Sequence, residues 1–245
     1  MSTKPDASIG ILCLERGPSA DTELPPPAPG SLRRADTFGL PVIFETAEGA
    51  WGENVARGDP SLELSYVAAA RRLEARGPIA ISSNCGFTVR YQDAVSAAVD
   101  VPVGMSSLLL LPTLLRIVNT SKKIAVLTFD SRICREDLLG ISNPRERVRI
   151  VIGGAEGGEY WRNEKMHIEK VHKEKMPPPP RPPPELIISD VLACARRVRC
   201  EHPEIGAFLL ECASFPLASS ELRRREKLPV YDLTDLGRML IASVR

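Results

Sequence analysis

Two cysteines occupy matched positions in this chain. The segment Ser82-Ser83-Asn84-Cys85-Gly86-Phe87 follows an apolar run at 78–81, and Glu211-Cys212-Ala213-Ser214 follows Phe208-Leu209-Leu210. The thiols are 127 residues apart, yet each sits where a strand-like run passes into a loop. Two thiols facing one pocket can run a two-base reaction. One, as thiolate, removes a proton from the carbon beside a carboxylate, and the other, as thiol, returns a proton from the far face, inverting that carbon without a cofactor. The thiolate needs a lowered pKa, which helix N-termini and backbone N–H groups at such turns supply. Those N–H groups, with Asn84, Ser107, Thr128 and Ser214, are candidates to hold the substrate carboxylate and the developing enolate charge. A cysteine acting as nucleophile in a lyase or cis–trans isomerase is an alternative, as is a binding protein that has lost catalysis. His167, His172 and His202 lie away from both junctions, so no Cys–His nucleophile pair is expected. Glu211 is expected to point away from Cys212, because neighbouring strand side chains alternate.

The elements that must carry these residues follow from the apolar pattern. Runs at 9–14, 38–46, 78–81, 101–104, 124–128, 147–152, 205–210 and 229–232 read as strands, the last edge-like. Helical patterns fall at 59–76, 87–99, 108–119, 133–139, 160–175, 185–199, 221–227 and 233–244. Alternating strands and helices predict parallel sheets with helices on both faces, and in such sheets ligands bind beyond the carboxyl ends of the strands. Cys85, Ser106, Thr128, Asp130 and Cys212 all fall at such ends. The strand-then-motif order occurs once in each half, so two similar lobes are expected: residues 1–103 completed by 217–245, and residues 104–216. The second carries a charged, proline-rich insertion at about 156–184. Its prolines, 177–180 and 182–184 around Arg181, are a candidate docking segment and more simply a surface insertion. The Pro- and Gly-rich stretch 15–35 is a loop.

Composition narrows the partners. Among 245 residues, 43% are hydrophobic and 26% charged, enough for a core and a soluble surface. Thirty-two basic against 31 acidic residues leave a formal charge of +1, so no strong field draws nucleic acid or an anionic membrane. The apolar stretch 108–118 is too short to span a bilayer and holds Pro112 and Arg116. The polar opening at 1–8 does not match a secretory signal. Six scattered cysteines with no CxxC suit free thiols in a reducing, cytoplasmic setting. Cys13, Cys134, Cys194 and Cys200 read as ordinary core residues.

The chain resembles the aspartate/glutamate racemase superfamily, which also includes hydantoin racemases, maleate isomerases and arylmalonate decarboxylases, and within it a less-characterised Asn-Cys-Gly branch. The likeness is carried by Ile9-Gly10-Ile11-Leu12, Asp36-Thr37-Phe38 with Pro41-Val42, Glu48-Gly49-Ala50, Ser83-Asn84-Cys85-Gly86-Phe87, Ser106-Ser107-Leu108, Val126-Leu127-Thr128 and Leu210-Glu211-Cys212. It implies two Rossmann-like lobes related by a pseudo-twofold, with the active site in the cleft between them. It implies Cys85 and Cys212 as the acid/base pair, with no metal or pyridoxal phosphate. The substrate would be a small carboxylate or amino-acid-like compound, lined by Asn84, Gly86, Phe87, Ser106, Ser107, Thr128, Ala213 and Ser214. Characterised amino-acid racemases carry Cys-Asn-Thr at the first cysteine and usually Gly-Cys-Thr at the second. Here Gly86, Phe87 and Ala213 replace those Asn and Thr residues, so the resemblance leaves the substrate open, and a homo-oligomer equally so.

Overall fold

The apolar runs pair as two parallel sheets in the computed structural model, which describes residues 7–16, 26–174 and 182–245. β1 (Ile9–Glu15), β2 (Val42–Trp51), β3 (Ala80–Ser83) and β4 (Val103–Gly104) lie in the order β2-β1-β3-β4. β5 (Lys123–Thr128), β6 (Ile150–Gly154), β7 (Ile205–Leu210) and β8 (Val230–Tyr231) lie in the order β6-β5-β7-β8. All neighbouring pairs run parallel, so one topology occurs twice, as expected of two similar α/β lobes. Strands of parallel sheets are covered on both faces, which is why β1 and β7 are continuous apolar runs rather than alternating ones. Ile9, Ile11 and Leu12 of β1 and Ala207 through Leu210 of β7 are fully buried.

The helices cover these sheets with the faces their spacing dictates. The helix Leu62–Glu74 buries Leu62, Tyr66, Ala69, Ala70 and Leu73. Leu73 packs directly on β1 at Gly10, where a Cβ would come within 2.7 Å of the Leu73 side chain. The helix Pro184–Glu201 buries Ile187, Val191, Leu192, Cys194, Ala195 and Val198 beside the second sheet, and opens on a proline that suits a first turn. Leu12 and Ile81 of the first sheet share one apolar cluster with Ile124, Val126 and Leu209 of the second. The two halves are therefore continuous through their cores.

Several expected boundaries shift. Phe38 ends a short helix, Ala35–Phe38, and the second strand starts only at Val42 and runs to Trp51. The expected helix 87–99 is a 3-10 turn, Gly86–Tyr91, followed by the short helix Gln92–Ser96. Of 133–139, only Glu136–Leu139 is helical, as 3-10. The stretch 217–245 is divided rather than wholly returned to the first lobe. β8 pairs Val230 and Tyr231 with Phe208 and Leu209, so the chain completes the second sheet before crossing back. Asp232 then caps the helix Leu233–Ser243, with a capping box to Asp235, and this helix packs Leu233, Leu236 and Ile241 against Ile9, Ile11 and Phe38. In the insertion, the helix Glu159–Glu174 lies against Pro184–Glu201. Prolines 177–180 and Arg181 fall outside the described residues, as does part of the loop 15–35. No helix among the described residues is long and apolar enough to cross a membrane.

Buried hydroxyls stitch the strand ends together. Ser82 Oγ donates to the Gly104 carbonyl at 2.8 Å and Ser83 Oγ to that of Met105 at 2.6 Å, tying β3 to β4. Ser107 Oγ donates to the Leu210 carbonyl at 2.7 Å, linking the first half of the chain to the end of β7. A buried carbonyl that loses its donor keeps its full desolvation cost. Ser107→Ala is therefore expected to lower unfolding free energy by about 1–3 kcal/mol in urea titrations. An unchanged midpoint and slope would show that this link contributes nothing.

Candidate active site

In a parallel sheet of order 2-1-3-4, the crossovers leave on opposite sides at the β1–β3 junction, opening a crevice beyond the carboxyl ends of those strands. The second sheet does the same between β5 and β7. Cys85 stands two residues beyond β3 and Cys212 two residues beyond β7, one thiol at each switch point. Both are partly exposed, and charge on Cys85 reaches Cys212 strongly enough to oppose its ionisation. Asn84 is pinned to the end of β1: its backbone N–H donates to the Leu12 carbonyl and its side-chain oxygen accepts from the Leu14 N–H, each at 2.9 Å. These bonds fix the turn that presents Cys85.

The other expected site residues divide into two sets. Asn84, Ala213 and Ser214 are half-buried beside the thiols. Gly86, Phe87, Ser106, Ser107 and Thr128 are buried. Ser106 Oγ accepts from the Leu108 N–H at 3.2 Å as a helix cap, Ser107 bonds Leu210, and Thr128 Oγ1 donates to Glu211 Oε2 at 2.7 Å. The hydroxyls of Ser107 and Thr128 are thus committed to protein acceptors.

Glu211 enters the site without having been among the expected site residues. It follows the last residue of β7, and its N–H bonds the Leu127 carbonyl at 2.8 Å. Its carboxyl is 1% exposed and lies against the Cys85 turn. A Cβ at Gly86 would stand 2.2 Å from Glu211 Oε1 and 2.3 Å from its carbonyl oxygen. Only Oε2 is bonded; the buried Oε1 has no hydrogen-bond partner among the described residues. Tyr160, opening the helix Glu159–Glu174, also reaches the Cys212 turn, with its hydroxyl donating to Ser214 Oγ at 3.1 Å. Arg16, just past β1, projects charge toward both Cys85 and Tyr160 and forms a loose 3.5 Å pair with Glu164. The one sequence signal for Glu211 is a carboxylate closing an otherwise apolar strand; Tyr160 gave none, its helix reading as a charged surface element.

The thiols are raised, not lowered. Burial and then the Glu211 charge push Cys85 up to about 12, against the N–H groups of Phe87 and Thr88 and the charge of Arg16. Burial and Glu211 also raise Cys212, against the Ser214 N–H. The helix after Cys85 is a six-residue 3-10 turn, with too little aligned dipole to offset burial. Glu211 itself is raised by burial to about 7, its bond from Thr128 pulling the other way. A separate hollow of about 400 Å³, lined by Ser131, Arg132, Cys134, Arg135, Glu136 and Asp137, lies on the far side of Cys134. Among the described residues, no group of three or more His, Cys, Asp or Glu is placed to hold a metal ion.

A dimethylsulfoniopropionate lyase of Durusdinium sp. clade D is 30% identical over 220 residues, covering 84% of this chain and 67% of that protein. The chain belongs to the dimethylsulfoniopropionate lyase family. It spans between 35% and 67% of the length of the curated family members it matches. No protein-family model matches the chain. The lyase-family chain has the fold of the aspartate/glutamate racemase superfamily. Unliganded arylmalonate decarboxylase aligns over 97% of this chain and 92% of its own, at TM-score 0.53 and 18% identity. A glutamate racemase of Bacillus anthracis aligns over 97% and 81%, at TM-score 0.56 and 12% identity.

The buried carboxyl of this lyase-family site carries a stability signature. Its folded pKa is raised from 4.5 to about 7, so the native state binds the extra proton between those values. Stability then falls as pH rises through that window, by about 3 kcal/mol, and is flat above it. Glu211→Gln should abolish the fall relative to the parent in urea unfolding at pH 4.5 to 7.5. Parallel pH profiles for the two proteins would exclude a raised Glu211.

Proposed function

We propose that this chain is a cofactor-independent lyase acting on dimethylsulfoniopropionate or a closely similar β-sulfonio carboxylate. What supports the reading is family membership together with one thiol just beyond the switch-point strand of each sheet, where the Gly86 turn meets Glu211. A β-sulfonio propionate has an acidified proton beside its carboxylate and a neutral sulfide as leaving group. Cys85, as thiolate, takes the α-proton; the C–H electron pair becomes the new C=C bond, and the C–S pair departs with dimethyl sulfide, leaving acrylate. Cys85 is the better base of the two. The N–H groups of Phe87 and Thr88 and the charge of Arg16 favour its thiolate, whereas the Ser214 N–H favours that of Cys212 against the charges of Glu211, Cys85 and Glu164. Cys212 stays a thiol and donates a hydrogen bond to the substrate from the other side. Arg16, whose charge favours the Cys85 thiolate, is our candidate cation for the carboxylate.

A second reading, racemisation or epimerisation of a small carboxylate, is favoured by one feature: an elimination needs one proton acceptor, and this cleft holds two thiols. The readings separate in one experiment. The protein is incubated with dimethylsulfoniopropionate, dimethyl sulfide is measured by headspace gas chromatography and acrylate by proton NMR. Equimolar sulfide and acrylate are expected, with Cys85→Ala lowering kcat on the order of 100-fold or more. No sulfide, but deuterium uptake from solvent at the α-carbon of an amino-acid substrate with inversion, would replace the lyase reading by the racemase one.

A further inference from the structure

A buried carboxylate with no cation beside it is costly, and such a group is either protonated or retained for a purpose. Glu211 is that group here. Its charge opposes ionisation of three thiols, each from a different segment: Cys85 after β3, Cys134 in the loop after β5 and Cys212 after β7. The Thr128 hydroxyl holds Oε2, and Oε1 is left against Gly86, the residue next to Cys85. A side chain at position 86 would displace exactly this oxygen, so the glycine and the carboxyl form one arrangement.

We propose that Glu211 is the proton acceptor for the Cys85 thiol, a positioning residue that makes Cys85 a thiolate while substrate is bound. The proposal rests on the reading of Cys85 as the base and not on which carboxylate it deprotonates. The site rests with Cys85 as thiol and Glu211 as carboxylate. Oε1 carries no hydrogen bond at rest; substrate binding turns the Cys85 thiol to it, and the proton passes from Sγ to Oε1. With that oxygen neutral, the charge that opposed the thiolate is gone. Cys85 then takes the α-proton of the substrate, and the C–S electron pair leaves with the sulfide. The site now holds two protons, one of them from the substrate. Glu211 returns one to water, matching the single proton that elimination from a sulfonium zwitterion releases. A carboxyl near 7 is suited to give up that proton at neutral pH.

The test needs no substrate in its first arm. Alkylation of Cys85 by iodoacetamide is followed against pH by mass spectrometry of its peptide, in the parent, in Glu211→Gln and in Thr128→Val. The Gln variant should move the Cys85 midpoint down by about one unit or more, because the opposing charge is removed. In the second arm, kcat at pH 7 should fall at least about tenfold in the Gln variant and recover in part as pH is raised toward the lowered Cys85 midpoint. The parent profile should rise through pH 7 and flatten, and Thr128→Val should shift that inflection upward, since the lost bond favours the carboxylate. An unmoved Cys85 midpoint, or a Gln variant with parental kcat and parental pH profile, would overturn the proposal. If the parent releases no sulfide, the substrate assignment fails and the alkylation arm alone decides the role of Glu211.

Discussion

The contact of Glu211 with Gly86 is the joint on which the site depends. The ends of β3 and β7 can approach only because residue 86 lacks a side chain; a methyl group there would lie 2.2 Å from one carboxylate oxygen and 2.3 Å from the main-chain carbonyl. That approach brings the Cys85 turn of one sheet beside the Cys212 turn of the other. The Ser107 bond to Leu210 closes the same joint from β4, and the shared apolar cluster behind it holds the two sheets in register. Interiors packed to crystal density do not absorb such contacts gradually, so a side chain at position 86 would force the two turns apart.

The same contact sets the electrostatics. Taking a carboxyl out of water raises it, and its charge raises every thiol around it. The result is a cleft whose thiols rest protonated, with a nearby carboxyl that titrates near neutrality. Thiols of this kind are poor spontaneous nucleophiles and resist adventitious alkylation and oxidation, since reactivity follows the thiolate. An elimination or a racemisation asks only for transient ionisation with substrate present, which such an environment allows. The destabilisation that a buried, unpaired carboxyl brings is the usual sign of a residue kept for chemistry rather than for folding.

The hydroxyls at the strand ends have a more modest part than their positions suggest. Ser82, Ser83, Ser106, Ser107 and Thr128 are all buried and bonded within the protein. The four serines satisfy carbonyls and N–H groups where parallel strands stop pairing, and Thr128 holds the Glu211 carboxyl. Side chains facing the thiols from outside the strands, Tyr160 and Arg16, come instead from a helix and from the residue just after β1.

The local pattern of residues was enough to establish the eight strands, their alternation with helices, the doubled arrangement and the two cysteines at strand ends. These follow from short-range rules: continuous apolar runs for buried parallel strands, and ligand sites beyond their carboxyl ends. What local rules could not reach were contacts made across the two sheets. Alternation along the strand speaks only to how Glu211 lies relative to Cys212; that its carboxyl meets Gly86 and Thr128 depends on segments far away in the chain. A lowered thiol pKa is expected from the helix N-termini and N–H groups of the turns; after Cys85 the chain makes a short 3-10 turn, and burial outweighs the N–H groups there. Thr128 and Ser107 looked like ligand hydroxyls until their partners, 83 and 103 residues away, came into view. Periodicity reports what a residue does within its own element, whereas the protonation of a buried group depends on neighbours that only the folded chain assembles.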